Sequence, residues 1–307
     1  MADMSVIVVG AGIAGVACAR ELTAAGIAVR VLERARVVGG RMASARLHRR
    51  PVDLGAAYFT ARDPEFVEVV RRWQAAGLAR EWTSELAVLG GDGGRSAGPV
   101  RYAAPAGLRS LVTALAEGLD VRLGHEVVHV GPGPVVDGEQ ADAVVLAMPD
   151  PQAARLLEAP SAAPDWTPVI AVAAGWTERG WPELPAAFVN DHPVLTLVAD
   201  DGDRRGDGAP VLVAHTAAEV ARAHDADPDG AVPLVVDALR ELLGVGTPDW
   251  THAHRWRHAS PGQDREEPFH LGDDGIAFAG DGWGKARVET AWRSGTLLGR
   301  ALATRWQ

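Results

Sequence analysis

Near its N-terminus the chain contains the stretch Val6-Ile-Val-Val-Gly10-Ala-Gly12-Ile-Ala-Gly15, which carries its strongest structural signal. The four apolar residues that open it predict a buried strand, and the apolar spacing from Ile13 to Ala25 predicts a helix. The glycines allow a tight turn between them and let the backbone approach a pyrophosphate at the helix N-terminus. A second apolar run, Ala28 to Glu33, predicts the next strand and places an acid about 20 residues after the glycines, where it can accept ribose hydroxyls. Together these elements predict a Rossmann-type dinucleotide-binding unit.

The residues after Glu33 indicate which dinucleotide the protein binds. Gly39, Gly40 and Arg41 form a second glycine pair followed by an arginine, which a plain NAD dehydrogenase does not need. This arrangement resembles FAD enzymes of the amine oxidase superfamily, whose Glu-Arg and Gly-Gly-Arg elements hold the adenosine ribose and the pyrophosphate. The resemblance implies that Glu33 and Arg34 lie at the adenosine end, and that Arg41 adds a cationic fork to the helix dipole. A solvated basic loop is the alternative interpretation.

The composition is that of an ordinary globular protein. Of the 307 residues, 47% are hydrophobic and 23% are charged, which is typical of a chain with a sizeable core. The formal net charge of −10, with no basic stripe, argues against nucleic acid as a partner. No apolar run has the length of a membrane span or the form of a signal peptide, so we expect no membrane association.

The single cysteine, Cys18, bears on redox chemistry and location. One cysteine excludes an internal disulfide framework and favours a reducing, cytoplasmic compartment. Its position in the first predicted helix favours a core role. No cysteine lies where covalent flavin attachment would be expected, so we expect FAD to be bound non-covalently. No His/Cys cluster has metal-ligand spacing, and we predict no metal site.

The chain is predicted to be an α/β protein with two domains. We expect residues 1–80, 99–158 and 262–307 to form a discontinuous FAD-binding domain. Residues 81–98 and 159–261 are expected to form a substrate domain, an α+β unit built on a mixed sheet.

Within the predicted substrate domain, strand-like runs alternate with Pro, Asp and Gly turns. The predicted strands are 169–174, 194–199 and 211–216, and the predicted helices are 217–223 and 233–243. The charged, Gly-rich segment Asp200 to Gly208 is predicted to be a solvated hairpin tip. In the predicted FAD-binding domain, Glu126 to Val130 is predicted to be a short strand.

The C-terminal region returns to the pattern of a nucleotide-binding fold. The run Gly275-Ile-Ala-Phe-Ala-Gly280-Asp281 predicts a strand that ends in Gly-Asp, and Arg287 to Arg305 has helical spacing. The Asp281 carboxylate can accept hydrogen bonds from a ribityl chain, and the following helix N-terminus can stabilise negative charge at the flavin N1/O2 edge. A helix-capping aspartate is the alternative.

Taken in order along nearly the whole chain, these segments resemble the renalase family, a branch of the FAD-dependent amine oxidase superfamily with the GR2-type Rossmann fold. Besides the elements above, the resemblance rests on Asp53-Leu-Gly-Ala-Ala-Tyr58, Val144-Val-Leu-Ala-Met-Pro149, His215-Thr216, Trp256-Arg257-His258 and Gly280-Asp281-Gly282-Trp283. The flavin motifs are common to the superfamily, whereas the His215 and Trp256 elements point to renalases. Further cofactor contacts are implied at Ala56, Ala57, Tyr58, Val127, Arg287 and Val288. Ala57 departs from the glutamine that the family often has before the tyrosine.

The resemblance implies an oxidase that takes a hydride from 2- or 6-dihydro-NAD(P) and passes two electrons to O2, giving NAD(P)+ and H2O2. Such a hydride transfer needs no general base, so the protein must position two rings and exclude water. The side chains that we expect to form the substrate site are Tyr58, His215, Trp256 and His258. Packing in the core is the alternative for each of them.

Two other functions stay open at this stage. One is a flavin amine oxidase or desaturase acting on another small molecule, and the other is a non-catalytic flavin- or nucleotide-binding protein. Amine oxidases proper often hold a lysine near the flavin N5 through a water. The only lysine here, Lys285, lies in the ribityl loop, which favours the renalase-like interpretation.

Overall fold

The computed structural model describes residues 4–91, 93–161 and 165–306. The remaining positions, which fall within the predicted domain ranges, lie outside the described residues. The strands are β1 Ser5–Val9, β2 Ala28–Glu33, β3 Ser44–Leu47, β4 Arg50–Asp53, β5 Arg80–Leu89, β6 Gly94–Ala103, β7 Asp120–Leu123, β8 Val130–Gly131, β9 Val135–Val136, β10 Glu139–Gln140, β11 Ala143–Leu146, β12 Trp166–Gly175, β13 Ala186–Val189, β14 Leu195–Asp200, β15 Val211–Thr216, β16 Trp250–Pro261, β17 His270–Leu271 and β18 Ile276–Phe278. The α-helices are α1 Ile13–Ala24, α2 Pro64–Ala75, α3 Leu108–Ala116, α4 Asp150–Leu156, α5 Asp201–Arg205, α6 Ala218–Ala223, α7 Val232–Leu243 and α8 Val288–Arg305. Short 3₁₀ helices span Gly40–Met42 and Pro228–Ala231.

The first sheet has the Rossmann-type strand order expected from the N-terminal motif. Its six strands lie in the order β17-β18-β11-β1-β2-β7. The neighbours from β18 to β7 are parallel, and β17 pairs antiparallel with β18. Strand β1 lies inside the sheet and is buried on both faces, which explains its uninterrupted apolar sequence.

Helix α8 brings the C-terminal part of the chain against the first helix. A Cβ atom at Gly295 would lie 1.9 Å from the carbonyl oxygen of Ala14, and one at Gly299 would lie 2.7 Å from that of Cys18. The two glycines therefore allow α8 to approach the backbone of α1 closely. Cys18 is buried at this contact, and burial raises the pKa of its thiol to about 12. This environment agrees with the predicted core role.

The second sheet is mixed, as predicted. Its order is β16-β12-β15-β14-β13-β5-β6, with antiparallel neighbours except for the parallel pair β13 and β5. One face packs through Ile170, Val172 and Leu212 into a core with α6 and α7. The other face packs through Ala171, Ala173 and Val213 against Val52 and Leu54. The second sheet thus covers the strand that leads to Tyr58.

The prediction for Asp200 to Gly208 is wrong. Residues 201–205 form helix α5, and Asp201 and Arg204 are fully buried. Asp200 caps this helix by accepting a hydrogen bond from the Asp203 amide. Burial is possible because carboxylates and guanidinium groups pair inside the protein.

The predicted strand from Glu126 to Val130 is also wrong over most of its length, because β8 begins only at Val130. The amides of Val128 and His129 donate instead to the side chain of Asp137, at 3.1 and 2.8 Å. A side-chain acceptor thus replaces the neighbouring strand.

Within the described ranges, no helix is both long and apolar enough to cross a bilayer.

Candidate active site

The glycine turn after β1 combines close packing with one open position. Gly10 has φ +109°, and a Cβ at Gly15 would lie 2.0 Å from the Gly10 carbonyl oxygen. Both positions therefore require glycine. A Cβ at Gly12, in contrast, would meet no atom within 4 Å. Gly12 is the N-cap of α1 and offers no side chain to its first amides. This open helix N-terminus suits a diphosphate.

The carboxylate of Glu33 orders the backbone beside this turn. It accepts hydrogen bonds of 2.8 Å from the amides of Ala11 and Ala35. A carboxylate has about four acceptor positions, so two backbone bonds leave capacity for ribose hydroxyls. Arg34 is exposed next to it.

The Gly39–Arg41 loop lies against the glycine turn. The Gly39 amide donates to the carbonyl of Ala11 at 2.9 Å, and a Cβ at Gly40 would lie 3.2 Å from Cα of Gly12. Arg109 on α3 covers Gly39, and its buried Nε has no hydrogen-bond partner among the described residues. Sequence reasoning missed Arg109, because nothing in its local sequence distinguishes it from a surface residue of a helix.

Arg41 connects the N-terminal loop with the C-terminal Gly-Asp element. Its guanidinium forms a two-point ion pair with the carboxylate of Asp281 and stacks 5.2 Å from the ring centre of Trp166. Gly280, with φ +150°, precedes this aspartate, and its amide donates a hydrogen bond of 3.0 Å to the Ser294 hydroxyl. The two predicted cofactor elements are therefore adjacent in space although they lie far apart in the sequence.

The first turn of α8 lies close to the segment before α2. Arg287 is the extended N-cap and gives no side-chain cap, and Val288 begins the helix. Glu289 is buried, and its carboxylate accepts hydrogen bonds from the amides of Arg62 and Asp63, at 2.5 and 2.6 Å. These bonds fix the N-terminus of α8 against the segment that precedes α2. Val127, also named as a cofactor contact, is buried beside the first sheet.

The segment Asp53–Tyr58 is held by side chains from helix α5 and strand β16. Arg204 donates to the carbonyl of Ala57 at 2.9 Å and to that of Asp53 at 3.2 Å. The indole of Trp256 donates to the carbonyl of Leu54 at 2.6 Å. Ala56 and Tyr58 are partly exposed, whereas Ala57 is buried. The structure thus brings one of the predicted site residues, Trp256, to the backbone of this segment.

A buried ionic cluster around α5 supports the same segment. Arg204 and Arg205 face Asp53 and Asp201, with Arg205 at 3.1 Å from Asp53 and 3.0 Å from Asp201, and Arg50 pairs with Asp201 at 2.6 Å. Burial by itself would raise the pKa of Asp201, but Arg204 and Arg205 outweigh it and hold that pKa below its usual value. Sequence reasoning missed this cluster, which we name the α5 ionic cluster.

His215 lies on β15, half-buried, next to Arg204 and Gly55. The pKa of its imidazole is lowered to about 4, mainly by desolvation and further by the positive charge of Arg204. A hydrogen bond with the Gly55 backbone raises this pKa in part. Its Nε2 is buried and has no hydrogen-bond partner among the described residues. His215 is therefore neutral at neutral pH and cannot supply a positive charge there.

This pKa predicts acid sensitivity. The folded-state pKa lies below the ordinary value of 6.5, so between these values the unfolded chain binds a proton that the folded chain does not. The stability contributed by neutral His215 is present above the unfolded pKa and is lost as the pH falls towards 4. We expect the free energy of unfolding to fall by about 1–3 kcal/mol more in the wild type than in His215→Gln between about pH 7 and pH 4.5. Urea denaturation of both proteins at the two pH values measures this difference. Equal losses would contradict it.

The other two predicted side chains, Tyr58 and His258, have different aromatic neighbours. Tyr58 lies 6.4 Å from the ring centre of Trp82, and the guanidinium of Arg101 stacks over it. His258 instead packs edge-on against Trp166, and both line a cavity of about 300 Å³. Burial and nearby arginines, Arg155 first among them, lower the pKa of His258. The structure thus places His215 and Trp256 beside residues 54–55 of the segment that ends at Tyr58, whereas the contacts of His258 are with Trp166 and, through its carbonyl, with Arg41 at 3.5 Å.

These features fit FAD. A Rossmann-fold flavoprotein is defined by an open helix N-terminus at Gly12, an acid at Glu33, cations beside the second glycine pair and a C-terminal Gly-Asp element.

Comparison with known protein families supports the same assignment. Residues 8–73 match the NAD(P)-binding Rossmann-like domain, and residues 81–301 match the flavin containing amine oxidoreductase family. Because the second match spans well over half of the chain, the protein belongs to that family. It is an FAD-dependent oxidoreductase.

Solved structures share the fold at low sequence identity. Cyclohexylamine oxidase from Brevibacterium oxydans IH-35A superposes with a TM-score of 0.77 at 15% identity, covering 99% of both chains. A triple mutant of putrescine oxidase gives a TM-score of 0.75 at 16% identity, covering 98% of this chain and 99% of that one. Wild-type putrescine oxidase bound to putrescine gives 0.71 at 16% identity, covering 99% and 98%. At these identities the likeness concerns the fold alone.

Proposed function

We propose that this protein is a renalase-like oxidase of 2- or 6-dihydro-NAD(P). The balanced reaction is dihydro-NAD(P) plus O2 and one proton, giving NAD(P)+ and H2O2. FAD, when bound, supplies the acceptor for the hydride and the donor of two electrons to O2. We further propose a cytoplasmic location and the two-domain division given above. In it the first sheet belongs to the FAD-binding domain, and the second sheet, apart from Arg80 of β5 and residues 99–103 of β6, belongs to the substrate domain.

The observation that carries this proposal is the grouping of His215 and Trp256 around Leu54–Gly55. These two residues belong to the elements that pointed to renalases rather than to the wider superfamily. Trp256 bonds to the Leu54 carbonyl, and neutral His215 lies beside Gly55. Neither residue needs to accept a proton, because the pyridinium product forms without losing one. Their proposed role is to hold the segment before Tyr58 and to exclude water around the two rings.

A second observation concerns lysine. The only lysine of the chain, Lys285, is exposed, and its carbonyl accepts a hydrogen bond from the Thr290 hydroxyl at 2.6 Å. It lies in the loop before α8, with its side chain exposed to solvent. This arrangement favours a substrate whose oxidation does not depend on a lysine near the flavin.

A flavin amine oxidase is the second candidate, and the match of residues 81–301 to the flavin containing amine oxidoreductase family favours it. Anaerobic stopped-flow mixing with 2-, 4- and 6-dihydro-NAD(P), and separately with cyclohexylamine and putrescine, discriminates the two. We expect the 2- or 6-isomer to bleach the flavin band fastest. Faster bleaching by an amine, or no preference over the ordinary 4-isomer, would reject the first candidate.

A further inference from the structure

Arg101 is a buried arginine that neither the fold nor the proposed chemistry has used. It lies on β6 with 5% of its surface exposed. Its Nε and Nη1 are buried and have no hydrogen-bond partner among the described residues. Its guanidinium stacks 5.2 Å from the ring centre of Tyr58.

Such a group is costly to bury. A guanidinium remains charged in proteins and offers five N–H donors, and a buried charge without an acceptor is strongly unfavourable. Stacking on an aromatic ring recovers only part of this cost. The α5 ionic cluster illustrates the usual solution, since Arg204 and Arg205 each face carboxylates there. Among the described residues, Arg101 has no such carboxylate, and its guanidinium stacks on the ring of Tyr58.

The backbone around Arg101 is arranged to aim it at Tyr58. The next residue, Tyr102, exchanges backbone hydrogen bonds of 3.2 and 2.8 Å with Phe59, which fixes β6 beside the end of the 53–58 segment. The pairing of β5 with β6 is irregular on both sides of the Thr83–Arg101 pair. Such irregularities re-aim side chains and are frequent next to active sites. At Gly98, a Cβ would come within 3.1 Å of the Arg101 Nη2, so glycine leaves room for the guanidinium.

We propose that Arg101 binds an anionic oxygen group of the substrate, a carboxylate or a phosphate, next to Tyr58. The fork of N–H donors suits a pair of oxygens, and the bound anion provides the missing counter-charge. This inference rests on the proposed function in placing the substrate beside Tyr58, and it deepens that function by giving the substrate class. Acidic ligands are favoured and protonated amines are disfavoured at this position. For a dihydronicotinamide dinucleotide, whose ring amide is neutral, the anionic group is a phosphate.

Two matched ligand pairs test this proposal without turnover. Nicotinate and nicotinamide differ in the acid on the ring, and nicotinamide mononucleotide and nicotinamide riboside differ in one phosphate. Dissociation constants are measured on the holoenzyme from the change in the flavin spectrum. We expect the acidic member of at least one pair to bind roughly tenfold or more tightly, as for a charge-assisted hydrogen bond. The pair that responds identifies the carboxylate or the phosphate as the recognised group.

Substitutions test whether the side chain of Arg101 causes the preference for the acidic ligand. Arg101→Met is expected to abolish it, and Arg101→Lys, which keeps the charge but not the fork, to reduce it. Arg95→Met is the matched control, because Arg95 lies on the same strand but is exposed and pairs with Glu85 at 3.0 Å. It should leave both preferences unchanged. Flavin content and melting temperature report whether each variant is folded.

Two results would overturn the proposal: equal binding within both pairs in the wild type, or an unchanged preference in Arg101→Met. Arg101 would then only support Tyr58. If Arg101→Met loses its flavin, the wild type and Arg101→Lys decide the question. Because these measurements need no hydride transfer, an acid preference without oxidation of dihydro-NAD(P) isomers would reject the proposed function and leave this inference standing.

Discussion

Replacing Arg204 by methionine is expected to lower the free energy of unfolding by about 3–5 kcal/mol, the usual cost of removing one partner from a buried ion pair. The side chain is fully buried, and its loss leaves the carboxylates of Asp201 and Asp53 short of a counter-charge. It also removes the hydrogen bonds to the carbonyls of Asp53 and Ala57. We therefore expect weaker retention of FAD as well as lower stability.

Denaturant unfolding and the flavin-to-protein absorbance ratio measure both effects. Arg240→Met is the matched control, because Arg240 is an exposed arginine on α7 whose ion pair with Asp237 spans 3.6 Å. Removing an exposed pair of this kind should change stability by at most about 1 kcal/mol. If Arg204→Met were as stable as this control, the α5 ionic cluster would not support the fold in the way described.

The two glycines of the first turn should separate cofactor binding from folding. In Gly12→Ala the new methyl group meets no protein atom within 4 Å, so the apoprotein should fold normally. The methyl group would occupy the space proposed for the pyrophosphate, and a conflict of about 3 kcal/mol would weaken FAD binding about a hundredfold. In Gly15→Ala the methyl group overlaps the Gly10 carbonyl, and we expect the apoprotein to lose about 1–3 kcal/mol of stability in addition.

Titration of the apoproteins with FAD, together with their melting temperatures, distinguishes the two effects. Gly246→Ala serves as the reference substitution, since a Cβ there also meets nothing within 4 Å and Gly246 is exposed in the loop after α7. It should change neither quantity. Normal FAD affinity in Gly12→Ala would mean that the diphosphate does not approach this part of the turn.

The elements that the sequence predicted well are those whose signals are local. The strand, glycine turn and helix from Val6 to Ala24 lie within one continuous stretch, and the strands and helices of the second sheet follow simple apolar periodicity. The α5 ionic cluster was missed because Asp-Gly-Asp-Arg-Arg is an ordinary surface composition. Its burial depends on Asp53, whose distance from Arg204 in the sequence exceeds the range of any local pattern.

The same contrast between local and tertiary signals explains which residues of the candidate site could be predicted from the sequence. Gly12 and Glu33 could be assigned roles from spacing alone, whereas Arg101 and Arg109 carry no motif. Their importance follows from burial without a partner, which only the tertiary structure reveals. His215 and Trp256 were singled out by resemblance, but their contacts with Gly55 and Leu54 came from the fold.

The position of α8 against α1 has a consequence for synthesis on the ribosome. The glycine-lined helix that covers α1, and the Asp281 carboxylate that pairs with Arg41, leave the exit tunnel long after α1 itself. A nascent chain therefore exposes an apolar face of α1 while the whole segment between the two helices is being made. Cofactor capture in its final form must wait until α8 has emerged, so chaperone binding to the exposed α1 and the supply of flavin after that point both bear on the yield of active protein.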